Sequence, residues 1–270
     1  MISLLMAATL PVLCSVDCAI EGRKKLDEPK VDYRINQASA TRSPWIISNG
    51  WRVTRDPAGK YYYDVPSSAA PIAVAEAFAF QADAVVKTKD RDTAEAVKMR
   101  GFIQALPSRT LTVVSDFVVV DDGSAQTGEV MNLLIRRNLL FRTGKHGDKA
   151  PLVVEIGTKE FPKAAAQNPS DFAIAVRHKL TDEKRGLRVY GSENVIARLE
   201  SDGKSARVHI LNYGTRGVDG IRLRVRGVYK NATANVFGTP GAKVEELLTE
   251  GGFTEFTLME MKQYAVVDLN

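Results

Sequence analysis

The sequence predicts an α/β segment over residues 31–183 followed by an all-β segment over 187–270: a Rossmann-like or partial β/α layer joined to a C-terminal antiparallel β-sandwich. Strand and helix signals alternate as far as residue 180, the mark of an α/β layer. After Arg185 the hydrophobic period becomes two, and strand signals recur at short spacing without helices between them. The chain has 270 residues, 44% apolar and 26% charged, which is enough to bury a substantial core and argues against disorder.

The elements follow in order. Residues 31–43 are polar and irregular and read as a linker or arm. Pro44–Ser48 is a short buried strand, with Asn49-Gly50 expected as a turn. Asp56–Gly59 is a second turn, leading into an aromatic strand at Lys60–Asp64. Pro71 suits the first turn of a helix running to about Ala82. A strand is expected at 84–87 and then a helix from Asp92 to Leu106, with Val97, Phe102, Ile103 and Leu106 as its apolar stripe. Leu111–Val120 reads as a buried strand of an α/β sheet. A helix at 127–137, with Val130, Leu133 and Leu134 inward, ends in Arg136-Arg137-Asn138, where cations meet the C-terminal dipole. Strands follow at 139–141 and 152–156, then a helix from Pro169 to Leu180 capped by Ser170. Seven strands are expected beyond Arg185: 187–190, 195–199, 207–211, 221–228, 233–237, 254–258 and 264–269. Ile221–Arg226 alternates strictly, which places three arginines on one face and apolar residues on the other.

The N-terminal apolar run Ile2–Leu13 is too short to anchor a chain in a bilayer but suits a secretory signal, so residues 1–22 are expected to be a signal segment and the protein secreted or periplasmic. Cleavage is expected between residues 15 and 23. Because either cysteine could leave with the signal, no disulfide is inferred. No later stretch is apolar enough to be an integral membrane segment. A net charge of +5, spread along the chain, gives no basic tract, so nucleic acid is not an expected partner. Three scattered histidines and two early cysteines supply neither a metal site nor a nucleophile, and no cofactor pattern is present.

Candidate chemistry sits in three places. Glu76, in the apolar stretch 75–80, has the setting of a general acid if desolvated, or of an exposed helix residue if not. Asp121 and Asp122 lie at the end of a buried strand, where α/β sheets bind ligands, although a capped, charged turn explains them as well. Glu76 with one of these carboxylates, or with Asp64, Asp83 or Asp116, is the catalytic set that a small hydrolase requires. Trp45, Trp51 and the tyrosines 61–63 concentrate aromatic faces beside Asn49, Arg52 and Arg55, an arrangement that holds sugar rings. Trp45, Asn49, Trp51, Arg52 and Tyr62 are therefore the expected ligand-binding residues, with core packing as the alternative.

Two segments carry a resemblance. Asp121–Ser124 and Gly128–Phe141 resemble the amidotransferase-like α/β module of some secreted glycoside hydrolases. His209–Gly214, Ile221–Gly227, Glu255–Leu258 and Tyr264–Leu269 resemble the β-sandwich that closes such enzymes. The resemblance implies a carbohydrate-active protein with a glycan or sugar ligand. In those enzymes a complete barrel of about 250 residues carries the catalytic carboxylates; only about 80 residues precede Leu111 here outside the signal, so family catalytic residues have no positions to occupy. No cysteine follows Cys18, so amidotransferase chemistry is not implied. The first reading is a glycan-binding or accessory protein; the alternatives are a small glycoside hydrolase and a structural module that recruits a protein partner.

Overall fold

The computed structural model describes residues 10–14, 18–35, 42–88, 93–191 and 193–270. The molecule is mixed α/β, with many strands in several sheets and few helices. Parallel strands form two separate sheets rather than one layer. The first, in spatial order, joins β1 (Val12–Cys14), β6 (Asp83–Lys87), β5 (Lys60–Asp64) and β2 (Lys24–Leu26). The second joins β10 (Val153–Val154), β8 (Phe117–Val120) and β9 (Phe141–Gly144). A hairpin of β3 (Lys30–Ile35) and β4 (Arg42–Ile47) stands where an arm was expected; the rest of that segment, 36–41, lies outside the described residues.

Helices α2 (Ala70–Ala79), α3 (Thr93–Gln104), α4 (Ala125–Arg136) and α5 (Pro169–Leu180) take the expected places. Asp92 lies outside the described residues. Ile103 is buried as expected, with Phe102 and Leu106 packed against the core, but Val97 is exposed, and α3 turns Ala96 and Met99 inward. The cap of α5 is Asn168, whose side chain accepts from Asp171 N at 3.3 Å, not Ser170. Asn49-Gly50 does not turn the chain. It opens a short helix, α1 (Gly50–Arg55), and Gly50 is required there because a Cβ would run into the Phe80 ring.

Two antiparallel sheets follow. One has the order β11 (Leu187–Tyr190), β14 (Val218–Arg226), β17 (Phe253–Met261), β16 (Val244–Glu250). The other runs β15 (Ala232–Val236), β18 (Tyr264–Leu269), β13 (Ala206–Asn212), β12 (Val195–Ser201), β7 (Thr112–Val113). The expected strand at 111–120 thus splits: β7 joins the antiparallel sheet, β8 the parallel one, and Val114–Asp116 crosses between them. Strand β16 was not expected.

Ile221, Leu223 and Val225 of β14 share one core with Val208, Ile210 and Val267 of the five-stranded sheet. Arg222 and Arg224 face outward, as the alternation requires, and both pair with Glu255. The five-stranded sheet is buried on its other face too. Leu211, Tyr264 and Val266 join the core of α2 and the parallel strands, so every residue of β13 and β18 is buried. This two-sided burial brings Arg207 and His209 of β13 to the seam between helices and sheet.

Cys14 and Cys18 form a disulfide, a pairing that the sequence reading did not infer. Residues 2–9 of the apolar run lie outside the described residues, while Val12–Cys14 is an edge strand on β6. Among the described residues no helix is long and apolar enough to cross a membrane.

Candidate functional site

The two tryptophans of the aromatic cluster line one cleft of about 550 Å³. Trp45 comes from β4, and Trp51 and Arg52 from the first turn of α1. Asp27, Glu28 and Lys30 form one rim, and Glu129 and Asn132 of α4 the other. The chain reaches this geometry because α1 lies close on α4: at Gly128 a Cβ would stand 2.9 Å from the Trp51 ring and 2.7 Å from the Arg55 guanidinium. Both tryptophans are half-buried. The Arg136 guanidinium stacks on Trp45 at 3.6 Å, and that of Arg52 on Trp51 at 4.7 Å, cation–π contacts that hold the rings.

The polar rim is internally matched. Arg52 donates to Asp27 Oδ2 at 2.9 Å, Lys30 to Glu28 at 3.3 Å, and Asn132 to Glu129 at 3.3 Å. Each carboxylate keeps lone pairs free, so the cleft offers acceptors and donors beside ring faces, the mixture that hydroxylated rings need.

Of the ligand-binding residues expected from sequence, Trp45, Trp51 and Arg52 line the cleft. Asn49 does not: it is fully buried, its side chain bonded to Asp27 O, Asp27 N and Glu76. Tyr62 is absent from the cleft lining as well, facing away from the buried Tyr61 and Tyr63 along β5.

The three expected catalytic carboxylates are not brought together. Glu76 is fully enclosed rather than exposed on α2. Its Oε2 accepts from Ser48 Oγ at 2.7 Å, Asn49 N at 3.0 Å and Tyr213 OH at 2.6 Å; its Oε1 accepts from Tyr63 OH at 2.8 Å and Asn49 Nδ2 at 3.0 Å. Burial, followed by the neighbouring Glu76 carboxylate, pushes both tyrosine hydroxyls well above their ordinary range. Asp121 is held bidentately by Arg55, at 2.9 and 2.7 Å. Burial raises its carboxyl, but the Arg55 bonds and Gly123 N–H outweigh that and hold it below the usual range. Asp122 is exposed and accepts from Ser124 N at 2.9 Å, while Ser124 Oγ caps α4 through Thr127 N at 3.1 Å. This is the capped, charged turn.

Sequence reasoning missed the rim carboxylates Asp27, Glu28 and Glu129. Only Glu129 carried a local signal, lying on the polar side of an amphipathic helix beside Asn132. Among the described residues no group of three or more His, Cys, Asp or Glu side chains could hold a metal ion.

The fold resembles that of a solved glycosidase. It is similar to α-L-fucosidase isoenzyme 2 from Paenibacillus thiaminolyticus at a TM-score of 0.63 and 8% identity, over 82% of this chain and 62% of that one. Lesser similarities reach a cold-adapted β-galactosidase from Rahnella sp. R3 (TM-score 0.44, 10% identity, 92% of this chain and 55% of that) and a GH42 β-galactosidase from G. stearothermophilus (0.43, 8%, 91% and 53%). The chain spans between 53% and 62% of the length of these proteins. No protein family and no curated protein matches the sequence.

Proposed function

We propose that this chain is a carbohydrate-active-type protein that holds a glycan in the Trp45–Trp51 cleft and serves as a binding or accessory unit without strong catalysis of its own. One observation carries the reading: two half-buried tryptophans share a cleft with a matched polar rim, on a glycoside-hydrolase-like fold. A sugar ring stacks on Trp51 while its hydroxyls meet Asp27, Arg52 and Glu129. The two antiparallel sheets act as the closing sandwich, and β8–α4–β9 as the amidotransferase-like unit. The test is a glycan array followed by calorimetry. Trp51→Ala should weaken binding by about 1–2 kcal/mol, the size of one aromatic contact, with circular dichroism unchanged. Equal binding by wild type and variant would remove the site and favour a module that recruits a protein.

A hydrolase stands as the second reading because three carboxylates, Asp27, Glu28 and Glu129, line the same cleft. Glycosidases use carboxyl pairs roughly 5–10 Å apart. Turnover of nitrophenyl glycosides that disappears in Glu129→Gln would establish it.

We also propose export, supported by the apolar run at 2–13 and by the Cys14–Cys18 disulfide, a bond favoured in oxidising compartments. Cleavage after Cys18 would remove β1 together with the whole disulfide, whereas cleavage between Cys14 and Cys18 would leave β1 tethered through it. N-terminal sequencing of periplasmic or secreted protein decides between removal and retention; exclusively cytoplasmic protein would refute export.

A further inference from the structure

A second cavity, of about 520 Å³, lies where α1 and the turn after it, the end of α2, and strands β7, β9 and β12 meet. Helix α1 serves both sites: Trp51 and Arg52 line the cleft, Val53 and Thr54 the cavity, and the two share no lining residue. Most of the cavity wall is apolar, formed by Val53, Pro57, Phe80, Leu111, Val113 and Phe141. Among the described residues the lining also holds two arginines, Arg142 and Arg198, and no carboxylate.

The two arginines differ in what neutralises them. Arg142 has its counter-ion: Nη1 donates to Asp148 Oδ2 at 3.0 Å and to Thr143 O at 3.3 Å. Arg198, half-buried on β12, makes no hydrogen bond and no salt bridge among the described residues. Its guanidinium lies over the Phe80 ring at 4.7 Å, a cation–π contact that holds it in place. Of its three nitrogens only Nε is closed off, so the Nη groups are the donors it offers. The carboxylate whose charge reaches Arg198 is Glu200, two residues along the strand. That group is engaged elsewhere, by Gln81 at 2.7 Å and His209 at 3.6 Å, and is not part of this lining. Burial, opposed by the Glu200 charge, lowers Arg198 from 12.5 to about 10, so it stays a cation at neutral pH.

A cation set in an apolar wall without a counter-ion costs free energy that an incoming anion recovers. The planar guanidinium matches the two oxygens of a carboxylate. The rest of the wall asks for an apolar body on that anion, because a hydroxylated body would leave its hydroxyls unbonded there. Apolar walls with one fixed charge, at this volume, are the properties of a small-molecule site. The rim carries the exposed Pro57 and Ala58 of the turn after α1.

We propose that this cavity binds a small organic monocarboxylate with an apolar body, its carboxylate on the Arg198 guanidinium and its body against the apolar wall. The site does not rest on the tryptophan cleft. The test titrates the full chain with benzoate and phenylacetate by calorimetry and saturation-transfer NMR. Benzyl alcohol serves as the neutral comparison and D-glucuronate as the hydroxylated carboxylate. The proteins are wild type, Arg198→Gln, Ala58→Trp and Trp51→Ala, with circular dichroism as the folding control. Benzoate or phenylacetate should bind wild type saturably, about tenfold or more tighter than benzyl alcohol, since the alcohol lacks the charged hydrogen bonds. Glucuronate should bind more weakly than either. Arg198→Gln should weaken the carboxylate by about tenfold or more for the same reason. Ala58→Trp, at an exposed position, should abolish binding by filling the mouth, and it carries the test if Arg198→Gln does not fold. Trp51→Ala should leave binding unchanged. No saturable binding to wild type, equal affinity for benzyl alcohol, or tighter binding of glucuronate would overturn the proposal. So would retained affinity in Ala58→Trp or in a folded Arg198→Gln. Loss confined to Trp51→Ala would overturn it too, and would place the ligand in the tryptophan cleft.

Discussion

Helix α2 meets the antiparallel half of the molecule at two buried glutamates, and the two are finished differently. Glu76, on the helix itself, receives five donors from the β4–α1 junction, β5 and Tyr213 beyond the end of β13, so both oxygens are saturated. Glu200, reached by Gln81 just past the helix end, has one oxygen hydrogen-bonded and the other in a longer ion-pair contact with His209 Nε2 at 3.6 Å. A saturated buried carboxylate ties several elements together; one with a single short hydrogen bond ties fewer. Burial alone does not separate the two, and the count of satisfied lone pairs does.

The sharpest way to break this contrast is to remove each carboxylate. Glu76→Ala strands the hydroxyls of Ser48, Tyr63 and Tyr213 and the Asn49 groups in the core. Its expected cost is on the order of 3–5 kcal/mol in urea unfolding. Glu200→Gln keeps its shape and should cost about 1 kcal/mol or less, the scale of a single net hydrogen bond. Similar losses for the two would refute the contrast.

Asp116 tests an intermediate case. One oxygen accepts from Gly186 N at 2.8 Å and the other has no partner. Burial, opposed by the Gly186 bond and by Arg226 and Arg185, raises its carboxyl from 3.8 to about 6. The folded state therefore holds this proton more tightly than the unfolded chain does. Its contribution to stability is complete below about pH 4 and is lost as pH rises through about 6. The loss is at most about 3 kcal/mol, and smaller for a side chain still partly in water. Asp116→Asn should flatten the fall in Tm between pH 4 and pH 7. An unchanged slope would contradict the assignment.

Smaller effects probe the cleft's supports. Ser124→Ala removes the α4 cap and should cost about 1 kcal/mol in chemical denaturation. Gly128→Ala gains about 1 kcal/mol of helix propensity, which the crowding of Trp51 and Arg55 offsets. Stability should change little while the Trp51 fluorescence shifts and glycan affinity falls. An unmoved tryptophan signal would mean that α1 does not need the glycine.

Much of the element order was legible because it depends on local signals. The aromatic strand at 60–64, the Pro71 helix, the Ser124 turn and the alternating 221–226 strand all stand where pattern placed them. The short helix α1 was hidden because six residues carry little periodicity and Asn-Gly serves a turn as readily as a helix start. The crossing at 114–116 was hidden because both strands it joins are apolar. Of the site, the tryptophans and Arg52 were legible as a local cluster, while Asn49 and Tyr62 were not separable from them: alternation along β5 and the inward turn at Asn49 depend on which face is covered. The all-apolar surroundings of Glu76 were the one available sign of its burial. For His209 and Arg207, which alternate with Val208 and Ile210, no local sign marked the burial of their face.

The sequence by itself determined the change from helix–strand alternation to period-two strands, the Ser124 cap, and the aromatic concentration at residues 45–63, since each is a property of neighbours in the chain. Tertiary structure decided what each polar group faces. Glu76 and Tyr213 lie 137 positions apart, and Gln81 and Glu200 lie 119 apart. Whether a carboxylate is saturated, paired or left facing a cavity depends on donors delivered from such distances, and no local pattern encodes them.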